Sequence, residues 1–110
     1  MPDLSPADLA ERMLKAAEEV LNDKHPDAHV YAQGAFQMLA EAIFDIHTKT
    51  MLGRITPEHA RVMLRIGRNT ALAVLLAVKG LSHGAAEATV SAALATVRAD
   101  VNEAIGWRLL

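Results

Sequence analysis

Three arginines on one predicted helix face are the residues whose spacing most favours chemistry. Arg61, Arg65 and Arg68 are separated by four and then three positions, so an α-helix places them along one side. A guanidinium presents N–H donors in a planar fork that matches the oxygens of phosphates and carboxylates. The spacing therefore predicts either an anion-binding site or ion pairs with carboxylates of a neighbouring helix.

Two acidic residues on the preceding predicted helix favour ion pairs over an anion-binding site. If the two helices form an antiparallel hairpin, the register brings Glu41 opposite Arg68. The same register brings Asp45 opposite Arg65. We therefore expect an interhelical ladder of ion pairs rather than a ligand site, with each exposed pair contributing about 0–1 kcal/mol. The alternative is an anion-binding or catalytic helical bundle that uses the arginine face together with Glu41 and Asp45.

The histidines do not form a recognisable metal or cofactor motif. No glutamate is followed by a histidine three positions later, which excludes the Glu-x-x-His pairs of a carboxylate-bridged di-iron bundle. His83 and Glu87 have the spacing of half a metal site, but no second pair accompanies them. His47 and His59 each precede a methionine by four positions, yet a haem attachment motif is absent. We expect no metal, no cofactor and no catalytic residue.

Composition narrows the remaining functions. The chain has 110 residues, enough for one domain with one core, and its net charge of −2 does not favour nucleic-acid binding. Cysteine is absent, which excludes disulfides, thiolate metal sites and cysteine nucleophiles. The N-terminal residues are acidic, unlike a signal peptide, and the longest apolar run, residues 71–78, is far shorter than a membrane span. We expect a cytoplasmic protein with no membrane or nucleic-acid partner.

Turn signals divide the chain into four helices. Ser5-Pro6 and Thr56-Pro57 each combine an N-cap residue with a first-turn proline, and Ser82 is a third candidate N-cap. No segment shows the strict alternation of a strand. The predicted helices cover about residues 6–22, 27–52, 57–79 and 84–107 of a single domain, 1–110. We expect an all-α, antiparallel up-down four-helix bundle with one short and three long helices.

The predicted helices carry more apolar side chains than one slim bundle can cover. The core stripe of the second helix is expected to include Met38, and that of the third is expected to contain Val62, Met63, Ile66, Thr70, Ala73, Val74 and Ala77. Surplus apolar or small residues lie elsewhere, at Val30, Phe44, Met51, Leu72, Leu75, Leu76, Ala88, Ala92, Ala95, Ala99 and Trp107. Such a surplus usually indicates association. We expect a non-enzymatic module that works by self-association, most simply as a homodimer, or by binding another protein.

Overall fold

The computed structural model describes residues 4–21 and 27–110, and these residues form four α-helices and no strand. The helices are α1 (Pro6–Leu21), α2 (Ala28–Met51), α3 (Pro57–Leu76) and α4 (His83–Ile105). The all-helical class predicted from the sequence is confirmed. None of the described helices is both long enough and apolar enough to cross a lipid bilayer.

Side-chain caps fix where three of the helices begin. The Thr56 hydroxyl accepts a hydrogen bond from the backbone N–H of His59 at 3.1 Å, and the Ser82 hydroxyl accepts one from that of Ala85 at 3.1 Å. Ser5 caps α1 with a longer contact. Each cap satisfies an N–H group that has no partner inside its helix. The three predicted N-caps are therefore confirmed.

The end of α3 differs from the expected position near residue 79. The backbone N–H groups of Ala77 and Val78 bond to the carbonyl oxygens three residues earlier, at 3.1 Å and 3.0 Å. This tightening ends the regular α-helix at Leu76. Gly80 then takes a positive φ of 85°, a conformation that glycine adopts without a steric penalty. The connection between α3 and α4, residues 77–82, is consequently longer than expected from a helix that continues to residue 79.

The four helices bury one apolar core with bundle-like contacts. Large side chains that are fully enclosed are Leu9, Met13, Phe36, Leu39, Ile43, Ile46, Leu75, Val90, Val97 and Val101. Helix α2 packs extensively against α1 and α3, and α1 packs extensively against α4. Contacts between α3 and α4 are fewer. As a result, α3 is held mainly by α2 and keeps much of its surface open.

A glycine sets the close approach of α2 and α3. A Cβ atom added to Gly67 would lie 3.3 Å from Cβ of Ala42 and 3.4 Å from Cδ1 of Leu39. These distances are tight for carbon atoms, so the two backbones approach closely only because Gly67 has no side chain. The contact fixes the register in which Gly67 faces Ala42.

The face of α3 that meets the core is not the face expected from the sequence. Ala60, Ala71 and Leu75 are buried, whereas Val62 and Ile66 are 47% and 61% exposed. The predicted core stripe of α3 is therefore wrong at these two positions and also at Thr70, Ala73 and Ala77, which are exposed, whereas Met63 and Val74 are half-buried. Because α3 approaches α2 through its small residues, the bulkier aliphatic stripe turns outward. Met38 of α2, also expected in the core, is 44% exposed.

Candidate interaction surface and the arginine face

Arg68 pairs with a carboxylate of α4 and not with one of α2. Its Nη2 donates to Oε2 of Glu87 at 3.0 Å. Asp45 pairs inside α2, where its Oδ2 lies 2.9 Å from Nζ of Lys49. Glu41 lines a groove between α1 and α2, on the side away from α3. These positions correct the predicted ladder, because α2 meets the small-residue side of α3 and the arginines lie on its other sides.

The remaining arginines point to different surroundings. The Arg61 guanidinium carbon lies 5.1 Å from the centroid of the Trp107 ring, a cation–π arrangement. Its Nη2 also donates to the carbonyl oxygen of Arg108 at 3.5 Å. Arg65 is exposed and forms no ion pair with any residue in the described ranges. The three arginines therefore do not converge on one anion.

In the described part of the chain, histidine–glutamate contacts occur as pairs. His29 Nδ1 lies 2.6 Å from Oε1 of Glu18, linking α2 to α1, and His83 Nε2 lies 4.0 Å from Oε1 of Glu87. Within residues 4–21 and 27–110, no three histidine, aspartate or glutamate side chains come together as a metal site. The pair of His29 and Glu18 therefore links two helices, whereas that of His83 and Glu87 lies within the first turns of α4.

The surplus apolar residues predicted for α2 lie on its outer side. Val30 is 69% exposed, and Phe44 and Met51 are also exposed. Phe44 and Met51 line a shallow apolar groove that also contains Leu4. Burying Phe44 and Met51 would remove apolar area from water, so the C-terminal half of α2 fits a contact surface.

The surplus residues predicted for α3 and α4 are divided between surface and core. In α3, Leu76 is exposed and Leu72 is half-buried, but Leu75 is fully buried and belongs to the core. The α4 alanines at positions 88, 95 and 99 are exposed, and Ala92 and Trp107 are half-buried. The small-residue strip of α4 therefore lies on the outside, whereas Leu75 is removed from the candidate surface.

Another exposed apolar surface, missed by the sequence analysis, spans α2 and α3. We name it the outer α2–α3 face and define it by Tyr31, Met38, Val62 and Ile66, all of which are exposed. The contact of Gly67 with Ala42 and Leu39 brings Ile66 and Met38 to neighbouring levels of adjacent helices. The sequence does contain a pattern that predicts this surface. Small residues at positions 60, 67 and 71 mark the side of α3 that can pack closely, so the bulkier residues on the other side are left exposed.

A groove between α1 and α2 is another concave feature of the surface. It has a volume of about 490 Å³ and is lined by Pro6, Ala7, Ala10, Glu11, Leu14, Gln33, Gln37 and Glu41. The α1 residues are mostly small or apolar, whereas the α2 residues are two amides and a carboxylate. The groove thus combines an apolar floor with an acidic and amide rim.

Comparison with known proteins finds no matching family model, no matching curated protein and no matching solved structure.

Proposed function

We propose that this protein is a non-enzymatic self-association module that forms a homodimer through the outer α2–α3 face. The observation that carries the proposal is the exposure of Val62 and Ile66, 47% and 61%, on a helix that one bundle leaves partly uncovered. Single exposed hydrophobes are ordinary, but adjacent ones on two packed helices form a patch. A second copy of the chain covers such a patch without any other component.

Burial of the outer α2–α3 face would contribute a substantial free energy of association. Removing the exposed parts of Val62, Ile66 and Met38 from water stabilises a complex by about 1 kcal/mol for each side chain. In a twofold dimer every such contribution occurs twice, because the same patch is used by both copies. A few well-buried residues carry most of the binding energy in a typical protein interface, so a small patch of this kind can contribute a large share of it.

The proposal includes an antiparallel up-down arrangement of the helices. Two contacts support it for α3 and α4: Arg61 meets Trp107, and Arg68 meets Glu87, so position rises along α3 as it falls along α4. The pair between Glu18 and His29 fits the same arrangement for α1 and α2. The absence of cysteine fits a reducing compartment, and we place the dimer in the cytoplasm.

The catalytic or anion-binding alternative gains no support from the positions of its residues. Arg68 is paired with Glu87, Arg61 stacks on Trp107, and Asp45 pairs with Lys49. A site for an anion needs several donors directed at one point. Association through apolar side chains is the function that the geometry supports best.

Sedimentation equilibrium of two matched charge insertions tests the proposal. Ile66→Glu places a carboxylate in the outer α2–α3 face, and Ala95→Glu places one on the exposed side of α4. We expect a wild-type dimer at tens of micromolar, a monomeric Ile66→Glu variant and a dimeric Ala95→Glu variant, with circular dichroism verifying that both are folded. A wild-type chain that remains monomeric would contradict the proposal, and loss of the dimer only in Ala95→Glu would move the interface to α4.

A further inference from the structure

We infer that the second copy seats its α3 in the groove between α1 and α2, with Arg65 of each copy facing Glu41 of the other. This inference rests on the proposed self-association and deepens it, because it names the surface that receives the outer side of α3. It also names the ion pair that fixes the register of the two chains.

The lining of the groove suits contact with a helix. Its floor includes the half-buried Ala10 and Leu14 of α1, with the exposed Ala7 beside them, and the alanines leave room for a neighbouring helix to approach closely. Gln33 and Gln37 lie on the α2 side and supply amide donors and acceptors at the rim. An amphipathic helix that lays apolar side chains into such a groove leaves its polar flank at that rim.

The charges of the groove and of α3 are complementary. The residues that line the groove include Glu11 and Glu41 and no basic residue. Neither acid forms an ion pair with any residue in the ranges 4–21 and 27–110. On α3, Arg65 directly precedes Ile66 and is exposed. An α3 helix in the groove therefore brings a guanidinium to carboxylates while the aliphatic side chains meet the floor.

The same charges disfavour the two simpler symmetric arrangements. Packing groove against groove brings Glu11 and Glu41 of both copies together. Packing α3 against α3 brings Arg65 near its counterpart. Like charges at an interface cost free energy, whereas α3 in the groove pairs opposite charges in both halves of the dimer.

The position of α2 allows each copy to place its α3 in the groove of the other copy at the same time. Because α2 packs against α1 on one flank and α3 on the other, the groove and the donated helix lie on either side of α2. A twofold axis beside α2 therefore generates both contacts together and closes the dimer. Two features of α2 suit this central position: Val30 is 69% exposed, and no atom lies within 4 Å of a Cβ added to Gly34.

Charge reversal of the two partners, singly and in a mixture, tests the inference. In Arg65→Glu the dimer brings two carboxylates together, and in Glu41→Lys it brings two cations together. We expect each single variant to dissociate at least about tenfold more readily than wild type. When the two variants are mixed, one half of the heterodimer has the reversed pair and the other half has the native pair. We therefore expect the mixture to recover an affinity within a few-fold of wild type.

Matched reversals on α4, Arg98→Glu and Glu103→Lys, are the controls, because both residues are exposed and outside the groove and the outer α2–α3 face. These variants should dimerise like wild type. The inference is overturned if the single variants associate normally or if mixing fails to restore association. In either case the proposed homodimer stands as long as Ile66→Glu remains monomeric. A monomeric wild-type chain overturns both.

Discussion

The guanidinium of Arg12 and the carboxylate of Asp100 join the first helix to the last, with Nη1 2.6 Å from Oδ2. Nη2 of the same guanidinium donates to the carbonyl oxygen of Thr96 at 2.9 Å. Arg12 thus holds a side chain and a backbone group of α4 with one planar fork. Because α1 is the shortest helix and presents few buried side chains, this contact complements its apolar packing on α4.

A double-mutant cycle on Arg12→Ala and Asp100→Ala should measure a coupling of about 0.5–1 kcal/mol in the free energy of unfolding. The coupling stays modest because the two side chains are 33% and 46% exposed, so water screens the pair. The pair of Asp45 and Lys49 inside α2 serves as control, and its coupling should be about 0.3–0.5 kcal/mol. Urea denaturation gives both values, and equal couplings would show that the interhelical position adds nothing.

Substitution of two glycines by alanine should separate helix propensity from packing. Gly34 lies within α2 with no atom near its missing Cβ, so Gly34→Ala should stabilise the fold by up to about 1 kcal/mol. Gly67→Ala gains the same propensity but forces α3 away from Ala42, 3.3 Å from the new Cβ. We expect it to be less stable than Gly34→Ala by about 1 kcal/mol or more. Thermal unfolding of the two variants at low protein concentration measures the difference, and a Gly67→Ala variant as stable as Gly34→Ala would mean that the contact relaxes freely.

The features that the sequence predicted correctly depend on neighbours in the chain. Thr56 and Ser82 cap helices because their partners are three residues away, so their role is visible without knowledge of the fold. The partner of Arg12 is 88 positions away, and no local pattern identifies Asp100. Long-range ion pairs are therefore beyond what spacing alone predicts.

The predicted orientation of α3, with Val62 and Ile66 facing the core, is the main difference from the structure, and the difference has a physical cause. Its apolar residues are spread around much of the helix, so periodicity does not select one face. Close packing determines which face of α3 meets the core. Gly67 permits α2 to approach, and this contact turns Ile66 outward. The prediction that Arg68 pairs with Glu41 failed for the same reason, since rotation of α3 directs Arg68 towards Glu87.

Removal of one helix cap should have a larger effect than removal of a serine hydroxyl elsewhere in α4. Ser82→Ala loses the acceptor of the Ala85 N–H at the start of the helix and should cost about 1 kcal/mol of stability. Ser91→Ala, at an exposed position inside the same helix, should be neutral or slightly stabilising, because alanine has the higher helix propensity. Chemical denaturation compares the two, and equal losses would show that the hydroxyl of Ser82 does not act as a cap.

The Asn102 side chain connects Leu109 and Leu110 to α4 through hydrogen bonds. Its Oδ1 accepts hydrogen bonds from the backbone N–H groups of Leu109 and Leu110, both at 2.9 Å, and its Nδ2 donates to the Leu110 carbonyl oxygen at 3.3 Å. These hydrogen bonds keep Leu109 buried and hold Trp107 beside Arg61. A variant without the side-chain amide leaves two backbone donors without their acceptor.

We expect Asn102→Ala to lose about 1–2 kcal/mol of stability and to release the segment that contains Trp107. Trp107 is the single tryptophan, so its fluorescence should shift to longer wavelength in the native state, before any unfolding. Asn102→Asp keeps an oxygen that accepts both N–H bonds and loses only the donor, so its emission should stay close to wild type. If both variants shift the emission equally, the Leu110 carbonyl contact, and not the two N–H bonds, holds the segment in place.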